Sequence, residues 1–253
     1  ATSTDPRNQP LADHVRRLGY AVFQGSENDV LERFHLAARE AGADVVVRIT
    51  GDCPLIDPGV VDRVVDAFRA AKVDYLSNVD PPTYPDGLDT EVFSFAALER
   101  AAREATQPRE REHVTPYIRR SGKFATASVR HTEDCSAERW TVDEPDDLAV
   151  VAAVFAHFHP RLDFSWLEVL ALRHDHPELF AANRHIVRNQ GAVMGTGQKL
   201  WKRAKQVIPG GNMLLSKRAE MFLPEQWPSY FSRAKGCQVW DLDDNKYIDM
   251  CLM

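Results

Sequence analysis

Apolar positions in the first part of the chain alternate between two periods, and the alternation predicts helices and strands in turn. Leu11, Val15 and Leu18 recur at helical spacing, and Gly19 ends that helix. Tyr20-Ala21-Val22-Phe23 reads as a short strand closed by Gln24-Gly25-Ser26. Leu31, Phe34 and Ala38 share one face of a second helix, which Ser26 or Asn28 can cap and Gly42 ends. Three consecutive valines, Val45 to Val47, then open a strand that runs to Thr50. Such an unbroken β-branched run predicts an interior parallel strand, buried on both faces. Asp57 caps and Pro58 starts the next helix, whose buried stripe is Val61, Val64, Val65 and Phe68, and Asp74 to Ser77 is the strand candidate after it. The series predicts an α/β fold with a parallel sheet covered on both faces.

From Pro81 to Asp89 the chain is rich in proline and reads as a long loop, a common place for substrate binding. Glu91 to Phe95 reads as a strand, Ala96 to Ala105 as an amphipathic helix, and Phe124 to Arg130 as another strand. The charged run from Arg109 to Ile118 is equally a solvated helix start or part of a site. Trp140 to Asp143 is a short strand candidate, and Glu144-Pro145-Asp146-Asp147-Leu148 opens a helix. Leu167, Val169, Leu170 and Leu172 are packing residues. After Gly191 the composition shifts, giving two expected domains, 1–190 and 191–253. In the second, Gly195 to Lys199 reads as a linker, Lys199 to Val207 as a helix, and Val239 to Leu242 with Tyr247 to Met250 as a β-hairpin turning at Asp243 to Lys246.

Net charge changes the list of partners. At −6 over 253 residues, with both signs interspersed, the chain lacks the clustered Lys and Arg of a nucleic-acid surface. No stretch approaches the ~18 apolar residues of a membrane span, and the opening residues show no signal segment, so the chain reads as cytoplasmic with no membrane partner. Cys53, Cys135, Cys237 and Cys251 are too scattered for a zinc pattern and read as reduced thiols. The paired histidines His157/His159 and His174/His176 sit two apart on helices, which directs them away from each other.

Two carboxylates stand at strand ends, Asp52 and Asp143. Ligands of open α/β sheets bind beyond the carboxyl ends of the strands, so the two acids can converge on one Mg2+ that neutralises a nucleotide's phosphates, with Arg48 adding positive charge. By spacing alone, either acid is also an ordinary turn former or helix cap.

The strings RITGDCPLID, YPDGLDTEVFSFAALERA, REREHVTPYIR and RWTVDEPDDL, in this order, resemble the cytidylyltransferases that make CMP-activated acidic sugars, in particular their spore-coat-like polysaccharide branch. The resemblance runs from Ala1 to roughly Asn183. It implies a Rossmann-like nucleotide-diphospho-sugar transferase fold, with attack of a sugar hydroxyl on the α-phosphate of CTP and release of pyrophosphate. By the same resemblance Asp52 and Asp143 match metal-binding aspartates, Gly25, Ser26 and Asp29 line the nucleotide near Arg48, and Gly87, Asp89, Glu91, Arg111 and His113 face an acidic sugar.

One departure accompanies the match. The family opens with a strand and a glycine-rich, basic phosphate loop, whereas Ala1-Thr2-Ser3-Thr4-Asp5 resembles the end of the family's second strand. A fold lacking the first strand and the phosphate loop is expected, with a sheet edge left open that invites association such as a homodimer. The segment from Lys199 onward resembles the opening of class III aminotransferases of the glutamate-semialdehyde aminomutase type, whose pyridoxal phosphate (PLP) lysine would lie in the absent remainder. Lys199, Lys202, Lys205, Lys217, Lys235 and Lys246 read as exposed residues. The expectation is therefore a truncated cytidylyltransferase followed by a small helix and hairpin appendage, drawn from a bifunctional protein and inactive as a fragment. The alternatives are a non-catalytic interaction module and, third, a PLP-dependent aminotransferase of the parent chain.

Overall fold

The computed structural model describes residues 1–186, 188, 195–212, 218, 221 and 228–249. It divides into two compact units, Ala1–His185 and Ile186–Met253. The expected boundary between 190 and 191, together with Lys217, Met250 and Cys251, lies outside the described residues.

In the larger unit, strands β1 (Thr2–Ser3) and β2 (Gln24–Gly25) pair in parallel, and β3 (Val45–Arg48), β4 (Tyr75–Ser77), β5 (Glu91–Ser94) and β6 (Thr126–Ser128) form a second sheet in the order β3-β5-β4-β6. The helices are α1 (Gln9–Arg17), α2 (Val30–Glu40), α3 (Pro58–Ala70), α4 (Phe95–Glu104), α5 (Pro108–His113), α6 (Pro116–Arg120), α7 (Pro145–Phe158) and α8 (Trp166–Asp175). β4 runs parallel to β6, while β5 is antiparallel to both β3 and β4. The segment joining β4 to β5 contains no crossover helix, so the chain returns in the opposite direction. The fold is thus α/β with a mixed sheet rather than the uniformly parallel one expected.

Register explains which faces are buried. Tyr75 pairs with Phe93 and Leu76 with Val92, so alternate residues point to opposite sides. Tyr75 and Phe93 pack with Leu31, Leu98 and Ile118 from α2, α4 and α6. Leu76 and Val92 pack on the other face against Val64 and Phe68 of α3. A third cluster joins Tyr84 and Leu88 to Trp140, α7 and α8.

Several expectations are corrected. The valine run is an outer strand with alternating exposure: Val46 packs on the cluster of α2 and α4, whereas Val45 and Val47, on the opposite face, are 46 % and 41 % exposed. Tyr20, 69 % exposed, precedes the strand, which begins only at Gln24. Leu11 and Leu18 of the anticipated α1 stripe are exposed, and Ala12 is the residue that α1 buries. Helix α2 is capped by Asp29, whose side chain accepts from Glu32 N, instead of by Ser26 or Asn28. Trp140 to Asp143 is not a strand; Trp140 N donates to Asp86 O and Val142 N to Asp52 O, both in irregular segments. The proline-rich loop is not open: Tyr84 to Leu88 are buried, and Asn78 clamps it by donating to Leu88 O at 2.8 Å and accepting from Thr90 N at 2.8 Å.

In the smaller unit α9 (Thr196–Val207) begins within the segment expected to be a linker, because Asp243 accepts from Thr196 N at 2.7 Å and from its hydroxyl. β7 (Phe231–Lys235), β8 (Gln238–Asp241) and β9 (Lys246–Ile248) form an antiparallel sheet, one strand more than a hairpin. Asp241 fixes its second turn by accepting from Asp243 N, Asn245 N and the Tyr247 hydroxyl, each at 2.9 Å. Asp244 there takes φ 60, a conformation that Asp tolerates better than most residues.

Candidate functional site

Strand β3 surfaces at Arg48, and the turn after it carries Asp52. Two bonds tie that turn to the segment ending at Asp143. Val142 N donates to Asp52 O at 2.8 Å and the Thr141 hydroxyl donates to the same oxygen at 3.1 Å. The turn carrying Asp52 and the segment ending at Asp143 are thereby joined, although 89 positions separate Asp52 from Thr141. Asp52 is half-buried, and the Asp143 carboxylate is 56 % exposed.

Asp143 is held from behind by Arg139, whose own side chain is only 8 % exposed. Arg139 Nη2 donates to Asp143 Oδ2 at 2.8 Å. Its guanidinium also meets both oxygens of Asp147, at 2.9 and 2.8 Å, and Asp86 Oδ2 at 3.1 Å. Asp147, fully buried, accepts as well from Asn183 Nδ2 and from the backbone N–H groups of Asp143 and Glu144. Burial alone would raise the Asp147 carboxyl, but these donors, Arg139 first, outweigh it and hold it down to about 2. Asp147 is at N3 of α7 and completes a capping box with Glu144, so the helix start and the site share one carboxylate.

The second cluster surrounds Glu91, which is 3 % exposed and opposite Arg48 in the β3–β5 register. Arg48 Nη1 donates to Glu91 Oε2 in a short contact, and Tyr75 and Thr115 donate their hydroxyls to Oε1 at 2.6 and 2.7 Å. Glu91 therefore spends its oxygens inside the protein and orients Arg48, which lies 5.8 Å from the Phe34 ring centre. Burial, and then the adjacent Glu91 charge, push the Tyr75 phenol well above its usual range, so it stays a donor. Thr115 reaches Glu91 from a γ-turn: Val114 has φ 71 and ψ −59, and Thr115 N donates back to His113 O at 2.8 Å. That conformation is strained for a β-branched residue. Burial of Val114 keeps it in place.

The remaining expected residues fall into two groups. Gly25, Ser26 and Asp29 form the turn from β2 into α2; Ser26 Oγ accepts from Asp29 N at 3.0 Å, and a Cβ at Gly25 would stand 3.0 Å from the Phe23 ring. Asp29 is also paired with Arg111, whose Nε and Nη2 donate to it at 3.0 and 2.5 Å, so these two expected ligands bind each other. Gly87, at φ 109, lies against the Trp140–Thr141 backbone. Asp89 stands near Cys53: burial, then the charges of Asp52 and Asp89, push that thiol up to about 12, which removes it as a nucleophile. His113 Nε2 lies 3.9 Å from Glu112.

Arg139, Asp86, Asp147, Asn183, Tyr75 and Thr115 were not singled out from sequence. The capping-box spacing of Glu144 and Asp147 was the one available signal, since the other partners are joined only through tertiary contacts. Among the described residues no group of three or more His, Cys, Asp or Glu side chains is placed to hold a metal. Mg2+ is an ion that needs few carboxylates, since it keeps several waters and takes its other ligands from phosphates. Among the described residues no helix is long and apolar enough to cross a membrane.

Comparison with known proteins bears on the family of the chain. The spore coat polysaccharide biosynthesis protein SpsF of Bacillus subtilis is 30% identical over 184 residues, 70% of this chain and 75% of that protein. Matches to the first relatives span 65% to 75% of those proteins' own lengths. The solved structure of a cytidylyltransferase from Leptospira borgpetersenii serovar Hardjo-bovis superposes with a TM-score of 0.68 at 29% identity, covering 70% of this chain and 76% of that one. A stretch of 59 residues is 46% identical to aminopentol aminotransferase of Sphingopyxis macrogoltabida, covering 22% of this chain and 14% of that enzyme. Residues 2–144, more than half of the chain, match the family described as Cytidylyltransferase, and the chain belongs to that family.

Proposed function

We propose that the larger unit serves transfer of CMP from CTP to a sugar hydroxyl, with Mg2+, in the synthesis of surface-polysaccharide precursors. The sugar oxygen forms a bond to the α-phosphorus, the bond to the β-phosphate oxygen breaks, pyrophosphate leaves, and the hydroxyl proton passes to solvent. The reading is supported by the bond from Val142 N to Asp52 O, which ties the backbone of the Asp52 turn to the residue before Asp143. Asp52 and Asp143 would hold the cation, which when bound supplies charge neutralisation at the phosphates. Arg48, aimed by Glu91, would add positive charge at the same edge, and Gly25 and Ser26 would approach the nucleotide through backbone and hydroxyl groups. Asp29, Arg111 and Glu91 would shape the site from behind, since each has its charge paired internally. Asp89, half-buried close to Cys53, would face the acidic sugar with Gly87 and His113 nearby.

The smaller unit is read as the opening of a class III aminotransferase, so that the parent protein joins nucleotide transfer to a PLP-dependent step on a related sugar. Its similarity to aminopentol aminotransferase supports this.

The test is calorimetric titration of the purified chain with millimolar CTP in the presence and absence of Mg2+. Heat that requires the metal and disappears in Asp52→Asn and Asp143→Asn is the expected result. Metal-independent heat, or none, refutes the assignment. A second reading, an interaction module, is favoured by the exposed apolar side chains of outer strand β3, with Ile49 40 % exposed beside Val45 and Val47. It predicts a homodimer in analytical ultracentrifugation and no response to CTP.

A further inference from the structure

We infer that Arg139 determines which divalent cation the Asp52–Asp143 edge accepts, by holding its charge on one oxygen of Asp143 so that a metal is favoured at the other. The inference rests on the reading of Asp143 as a cation ligand. Arg139 cannot turn away from this task. Its guanidinium is locked on both oxygens of buried Asp147 and on Asp86, and Asn183 Nδ2 bonds to both Arg139 O, at 3.0 Å, and Asp147 Oδ1, at 2.9 Å. Its backbone is fixed too, because Asp86 N donates to Glu138 O at 2.8 Å and Trp140 N to Asp86 O at 2.7 Å.

The consequence for Asp143 is geometric. Oδ2 receives Nη2 at 2.8 Å, whereas Oδ1 meets no hydrogen-bond donor among the described residues and belongs to a side chain 56 % exposed. With a guanidinium charge on Oδ2, a second cation is favoured at Oδ1, so the carboxylate is biased toward binding through one oxygen. Mg2+ is served well by that, since it takes six oxygens at close to octahedral positions and binds carboxylates one oxygen at a time. Ca2+ takes six to eight oxygens and commonly engages both oxygens of a carboxylate, which the guanidinium charge beside Oδ2 disfavours. Arg139 does not repel the ion on balance, because three carboxylates, Asp86, Asp143 and Asp147, surround its single charge. Planarity matters here: lysine would keep the charge beside Asp86 and Asp147 but lacks the fork that spans to Asp143 as well.

The test uses the purified chain and the metals alone. Bound Mn2+ is measured by the electron paramagnetic resonance signal of the free ion, and Mg2+ and Ca2+ are then used to displace it. In Arg139→Lys, the strength of Ca2+ relative to Mg2+ as a competitor is expected to rise about tenfold, the lower end of what outer partners of metal ligands contribute. A purely structural role for Arg139 would change both competitors alike. The double variant Arg139→Gln with Asp147→Asn removes both charges of the buried pair and provides a second folded background, checked by circular dichroism. If Asp143→Ala abolishes Mn2+ binding while the ratio in the Arg139 variants equals that of the wild type, the inference is overturned and the cation site stands. If Asp143→Ala binds Mn2+ as the wild type does, the assignment of the site itself fails, and this inference with it.

Discussion

Replacing Gly87 with alanine probes how the proline-rich loop is fastened to the segment carrying Asp143. A Cβ at this position would lie 2.7 Å from the Trp140 carbonyl carbon and 2.8 Å from both Trp140 O and Thr141 N, where ordinary contact begins at 3.4 Å. All three are backbone atoms, so no side chain can rotate out of the way. The backbone at φ 109 adds a conformational cost of about 1–3 kcal/mol for any residue with a Cβ. Forcing the collision adds about 1–3 kcal/mol of overpacking. Together Gly87→Ala should destabilise the larger unit by about 2–6 kcal/mol. Gly42→Ala is the matched control: its φ is 62, but nothing lies within 4 Å of the added Cβ, so only the backbone cost of about 1–2 kcal/mol applies. Urea unfolding followed by tryptophan fluorescence measures both, and hydrogen exchange at the Trp140 and Val142 amides locates the damage. Equal losses in the two variants, with unchanged exchange at those amides, would refute the close approach and the coupling of the loop to Asp143.

Other consequences are equally direct. Asp147 has a folded-state pKa depressed to about 2 from 3.8, so its contribution, about 2 kcal/mol, is complete above pH ~4 and is lost as pH falls through ~2. The urea midpoint should fall over that window, and the fall should be shallower in Asp147→Asn, which lacks the titrating group. Glu91→Gln leaves Arg48 with an uncompensated charge at the strand end and should cost about 3–5 kcal/mol, against about 1 kcal/mol for Tyr75→Phe, which removes one hydrogen bond. Equal stabilities of the two variants by urea unfolding would contradict a buried role for the Glu91 charge. Iodoacetamide at pH 8 followed by peptide mass spectrometry should label exposed Cys237 well before Cys53, whose thiol is buried and pushed up to about 12.

Local signals in the sequence carried most of the helices. Asp57 accepts from Val60 N at 3.1 Å as its cap position requires, and the apolar faces of α3 and α4 follow their periods. Both depend on contacts within a few residues. Pairing between strands does not, and there the reading departed from the fold: β3 has the composition of an interior strand, but its place is decided by β5, which arrives in the opposite direction from residues 91–94. The tail shows the same limit. Ser232 and Arg233 hide a strand in β7, which is exposed along its whole length and so leaves no apolar alternation to find. For the site, the tie between the Asp52 turn and the Asp143 segment is a tertiary contact, as is the Asp86 partner of Arg139, and neither leaves a local signal. Arg139 reads as one more surface cation until Asp86, Asp143 and Asp147 are seen around it.

The γ-turn at Val114 links the helical layer to the reactivity of the strand ends. A left-handed valine stays so only while the hydrophobic cluster around it, with Leu98, Ala101 and Ile118, outweighs its preference to relax. If that core loosens, the peptide springs back, the Thr115 hydroxyl leaves Glu91, and the clamp on Arg48 weakens with no change at any residue that would touch a nucleotide. Mutations several layers away from the sheet edge would in this way register as altered anion recognition.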